Sequence, residues 1–107
     1  MSKSLILYII ILLGLSACTS TKEPQVLTIM THNSFAVSAE VISSFEQENN
    51  TTVQFISSGD VGTALNRAIL SRDKPIADVF YGLDNTFLSR ALEEDIFESY
   101  ASPLLDE

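Results

Sequence analysis

The sequence predicts an α/β domain built on a parallel sheet of βαβ units. Two observations carry that reading: strand-like and helix-like periods alternate three times between residues 26 and 97, and the links between them are short. Strands joined through intervening helices run parallel, and their crossovers are right-handed.

The first element is Val26-Leu27-Thr28-Ile29-Met30-Thr31, a β-rich run ended by His32-Asn33-Ser34. The period then becomes helical. Val37, Val41, Ile42 and Phe45 fall on one face, Glu40, Glu46, Gln47 and Glu48 are expected to face water, and Asn49-Asn50 ends the helix. A second strand covers Thr51 to Ser57, with Val53, Phe55 and Ile56 as its apolar residues. Val61, Ala64, Leu65, Ala68 and Ile69 follow the i, i+3, i+4, i+7, i+8 pattern of an amphipathic helix, with Asp60 placed to cap it. Lys74-Pro75 breaks that helix, and Ile76 to Tyr81 reads as a third strand. A third helix opens at Asn85 or Thr86 and turns Phe87, Leu88, Ala91 and Leu92 inward; residues after Phe97 read as an irregular end.

Composition narrows the function. The 107 residues carry fourteen acidic against six basic side chains, a net charge of −8, which leaves no basic surface for a nucleic acid backbone. The single cysteine, Cys18, makes neither an internal disulfide nor a multi-thiolate metal site. Leu5 to Leu15 is apolar throughout and follows Lys3. At ~1.5 Å per residue such a helix spans only about half of a ~30 Å hydrocarbon core, so residues 1–17 read as an export signal, not a membrane span. The same stretch also fits an ordinary signal peptide or a short uncleaved anchor in which Cys18 has no part. Residues 18–25, polar and ending in Pro24-Gln25, suit a solvated tether.

In a parallel sheet every strand-to-helix link leaves the carboxyl edge. His32-Asn33-Ser34-Phe35, Ser57-Ser58-Gly59-Asp60 and Gly82-Leu83-Asp84-Asn85 therefore converge on one rim, where open α/β sheets bind ligands. Taken singly, Asn33 or Asp84 is explained as turn or cap chemistry, and Phe35 and Tyr81 as core; convergence is what marks them. Acidic caps use up the anion affinity of helix N-termini, so a phosphate-only ligand is disfavoured. Asp60, Asp84, Phe35 and Tyr81 suit a cationic or hydrogen-bond-donating heterocycle better. His32 with Ser34 is a weak nucleophile–base pair, and no nucleophile elbow, phosphate loop or zinc motif is present. Glu93-Glu94-Asp95 reads as a solvated face.

Four stretches carry family resemblances. Leu15-Ser16-Ala17-Cys18 resembles the bacterial lipobox, which implies cleavage before Cys18, lipidation of its thiol and a membrane anchor. Residues 26–35, ending His32-Asn33-Ser34-Phe35, residues 59–67 (GDVGTALNR) and residues 77–85 (ADVFYGLDN) resemble the substrate-binding proteins of thiamine ABC transporters, and more loosely the receptors for iron(III), polyamines and other small solutes. The resemblance implies that residues 26–107 form the first part of one lobe of a two-lobed periplasmic-binding-protein fold, in a truncated chain. It also implies an extracytoplasmic, monomeric receptor with no catalytic activity, cofactor or metal, which binds thiamine or its phosphates and delivers them to ABC permease subunits. Asp60, Val61 and Gly62 are the contacts it implies most directly; His32, Asn33, Ser34, Asp84 and Asn85 complete the expected ligand-binding set. His32 stands where family members often carry an aromatic residue. A receptor for another solute, a non-functional fragment and a small exported hydrolase remain the alternatives.

Overall fold

The computed structural model describes residues 23–105. The expected signal segment, Cys18 and the start of the tether lie outside the described residues. Three strands, β1 (Gln25–Thr31), β2 (Thr51–Ser57) and β3 (Val79–Phe80), alternate with three helices, α1 (Ala39–Asn49), α2 (Val61–Leu70) and α3 (Asn85–Glu93). The sheet order is β2-β1-β3 and both pairings are parallel, so the domain is α/β as the alternation predicts.

Register fixes the two faces of the sheet. Leu27 pairs with Val53, Ile29 with Phe55 and Thr31 with Ser57, so these six residues share one face, while Thr28, Met30, Gln54 and Ile56 occupy the other. Because β2 and β3 flank β1 on opposite sides, right-handed crossovers put α1 and α2 on opposite faces. The buried apolar residues are few: Met30, Ala64, Leu65 and Ala91.

Each helix begins on a side-chain cap. The Ser38 Oγ accepts from the Val41 N–H at 3.4 Å, Asp60 caps α2 and Asp84 caps α3. α1 ends at Asn50, whose N–H donates to the Glu46 carbonyl and whose left-handed backbone (φ 46°) turns the chain out of the helix. α3 packs on α2. A Cβ at Gly62 would sit 3.2 Å from the Phe87 ring, Arg90 donates to Asn66 at 2.7 Å, and Arg72 pairs with Glu94 at 3.0 Å.

Three expectations are corrected. β3 covers two residues where six, Ile76 to Tyr81, were expected: before it the Thr28 N–H turns to the Asp78 carboxylate at 2.8 Å, although the Asp78 N–H still donates to the Thr28 carbonyl at 2.8 Å. Glu46 does not face water: it is half-buried and its Oε1 accepts the Val53 N–H at 2.7 Å. On α3 only Ala91 is fully buried; Leu88 and Leu92 stay exposed, at 45% and 61%.

Leu65 and Leu70 separate the buried from the exposed side of α2, at 0% and 88% exposure. Leu65→Ala is expected to cost ~2–5 kcal/mol, a large part of a small domain's stability, and Leu70→Ala to change it by less than about 0.5 kcal/mol. Urea titrations followed by circular dichroism measure both.

Candidate functional site

The parallel sheet delivers the three strand-to-helix links to one edge, and backbone bonds tie them together. The Ser58 N–H donates to the Thr31 carbonyl at 3.0 Å, the Asn33 N–H to the Gly59 carbonyl at 2.9 Å and the Tyr81 N–H to the Met30 carbonyl at 2.9 Å. The Ser57 hydroxyl donates to Asn33 Oδ1 at 3.2 Å. The first link therefore runs between the other two. Gly59 (φ +82°) and Gly82 (φ +96°) turn beside it in left-handed conformations that side chains disfavour. Gly82 is constrained twice, since a Cβ there would overlap the His32 imidazole.

His32 is oriented by its own turn. Its Nδ1 accepts the Ser34 N–H at 3.2 Å, which puts the proton of a neutral ring on Nε2. The bond comes from the backbone of Ser34, and the Ser34 hydroxyl takes no part in it. A nucleophile–base pair requires that hydroxyl on the ring. Phe35 follows the turn and forms the centre of an aromatic group, 5.3 Å from Phe55 and 4.9 Å, edge-on, from Tyr81. Tyr81 is not core: it keeps 55% of its surface exposed at the rim.

The remaining expected site residues lie at the first turns of α2 and α3. Asp60 Oδ1 accepts the Thr63 N–H at 2.7 Å. That bond, helped by the Thr63 hydroxyl and the Gly62 N–H, holds the Asp60 carboxyl below its ordinary value. Val61 is half-buried as the first residue of α2, and Gly62 is the point where Phe87 approaches that helix. Asp84 Oδ1 accepts from Thr86 and Phe87 at 3.0 and 3.3 Å, and Asn85 opens α3 on the surface. The fold thus joins His32 and Asn33 to the glycines of the other two links, and keeps Asp60 and Asp84 at their caps. No group of three or more metal-ligating side chains is assembled among the described residues.

A cavity of about 650 Å³ opens beside His32 and Asn33 and runs back beneath α1, between Ile42 and Glu46 of the helix and Val53 and Phe55 of β2. Neither Asp60 nor Asp84 lines it. Sequence reasoning assigned Glu46 to solvent and so missed this space, although Glu46 lies one turn after Ile42 on the same stripe.

The Asp60 cap has a pH signature. A carboxyl whose folded pKa lies below the unfolded value contributes stability that is complete above the unfolded value and disappears as pH falls through the folded one. Asp60→Asn keeps a capping carbonyl without the charge. The stability difference between the parent and this variant is therefore expected to persist down to the ordinary carboxyl value of 3.8 and to shrink at lower pH, in thermal melts run from neutral to strongly acidic buffer.

No protein-family model, curated protein or solved structure matches the chain.

Proposed function

We propose that this protein is the solute receptor of an ABC importer, held at the membrane through a lipidated Cys18, and that it binds thiamine or its phosphates. The observation that carries the reading is the His32-Asn33-Ser34 link seated between the glycine turns at Gly59 and Gly82, at the carboxyl edge of a parallel sheet. Ligands of open α/β sheets occupy that edge. The receptor works by recognition and closure, with no bond made or broken. His32 offers an Nε2 proton and a ring face, Asn33 and Asn85 offer amides, and Ser34 a hydroxyl. Asp60 and Asp84 supply the negative charge that a thiazolium needs, while their capping role makes the α2 and α3 N-termini poor anion sites. The amides of Val61 and Gly62 border the ligand.

In this reading the described domain is part of one lobe, and a second lobe closes over the rim. Residues 18–25 tether the domain on the outer face of the cytoplasmic membrane, and the loaded receptor delivers its solute to the permease subunits. No helix among the described residues is long and apolar enough to cross a membrane. Attachment through the lipid is the part of this reading that the lipobox resemblance implies.

Two measurements test the proposal. Calorimetry on this chain joined to the second lobe of the proposed fold is expected to register thiamine binding, weakened about tenfold by Asp60→Asn with helicity retained. Heat with ferric ion or a polyamine and none with thiamine assigns the chain to another solute; no heat with any of them removes the receptor reading. In a bacterial host, Cys18→Ser is expected to abolish the diacylglycerol mass increment and to leave residues 1–17 uncleaved. A parent chain that carries no such increment would rule out the lipid anchor.

A further inference from the structure

The cavity beneath α1 stands apart from the capped carboxylates of the rim. Its volume of about 650 Å³ is that of a small-molecule site, commonly ~300–1,000 Å³. Phe35, Phe55, Ile42 and Val53 make its walls apolar, Ser43 adds a hydroxyl, and Glu46 brings the one carboxylate; neither lysine nor arginine lines it. Among the described residues no ion pair reaches Glu46; the one ion pair there joins Arg72 to Glu94. Its position is fixed, because Oε1 receives the Val53 N–H at 2.7 Å in a partly buried bond. His32, at the mouth, is the other titratable wall residue.

A fixed, half-buried carboxylate among aromatic and aliphatic walls discriminates sharply between ligand classes. Anions are repelled. A neutral apolar molecule would strip water from the carboxylate and give nothing in return. A hard divalent cation needs several oxygen ligands, and no such group is assembled among the described residues. A compact organic cation satisfies both parts of the cavity: its charge faces Glu46, and its alkyl groups lie against Phe35 and Phe55, whose rings are 5.3 Å apart and inclined by 37°. We infer that the cavity between α1 and the β1–β2 half of the sheet is a binding site for a small quaternary or tertiary ammonium compound, with Glu46 as its counter-ion. The inference does not rest on the receptor reading, because it uses neither Asp60 nor Asp84.

The test compares choline with 3,3-dimethylbutan-1-ol, its uncharged isostere, on the full chain in mild detergent by calorimetry and ligand-observed NMR. Choline is expected to bind about tenfold or more tightly than the alcohol at low salt, with the ratio narrowing as salt screens the carboxylate. Glu46→Gln retains an oxygen for the Val53 N–H and is expected to bring the ratio close to one with helicity unchanged. Equal binding of the two compounds, no binding of choline, or a ratio that survives Glu46→Gln in the folded variant overturns the inference. If Glu46→Gln does not fold, the ratio in the parent chain and its salt dependence decide alone. Thiamine binding that depends on Asp60 can fail while choline selectivity stands, and the reverse, so the two readings are separable.

Discussion

The position of β1 between two parallel partners governs the rest of the molecule. β1 bonds to β2 along its full length and to β3 near its end, so it is the strand buried from both edges, and Met30, close to its carboxyl end, is among the few fully enclosed side chains. Parallel partners on both sides force all three links out at one end of the sheet. They also force the first link to pass between the other two. The crowding shows in the backbone: Gly59 supplies a carbonyl to Asn33, and Gly82 gives up its side-chain space to the His32 ring. The rim is thus a consequence of strand order before it is a matter of residue chemistry.

Parallel pairing and element type were legible because they rest on period and punctuation, whereas the order β2-β1-β3 was not. β2 matches its expected limits, Thr51 to Ser57, since β-branched residues fill it and Asn49-Asn50 closes the helix before it. α2 begins where Asp60 can cap it and turns Ala64 and Leu65 into the core. β3 was overestimated because the apolar run Ile76 to Tyr81 contains Asp78, whose carboxylate competes with strand carbonyls for a ladder donor. A charged residue in an otherwise β-rich run carries that signal, but only the partner strand decides whether the carboxylate finds an N–H.

Amphipathic faces were legible as stripes and not as buried surface. α1 carries Val41, Ile42 and Phe45 of its expected apolar stripe, while Val37 lies before the Ser38 cap and outside the helix; Val41 and Phe45 remain 59% and 40% exposed, because the helix covers the β2 side of the sheet and not the whole face. Periodicity tells which side chains share a face; coverage depends on how many elements are present to meet it. The same limit explains Glu46. Its residue type argued for solvent and its spacing from Ile42 argued for the interior, and spacing won because the Val53 N–H at the start of β2 needed an acceptor. The convergence of the links was likewise readable from topology, whereas the contact between His32 and Gly82 depends on a backbone angle that no residue pattern specifies.

Capping and ligand binding are often treated as competing explanations for an acidic residue at a strand-to-helix turn. The geometry here shows why they need not exclude one another. A carboxylate has about four acceptor positions, and both bonds that Asp84 accepts, from Thr86 and Phe87, end on Oδ1. The cap fixes the group through Oδ1, and neither capping bond uses Oδ2. Being locked by the backbone lowers the entropy such a carboxylate loses when a partner binds it. Turn chemistry and ligand chemistry can therefore reside in one side chain.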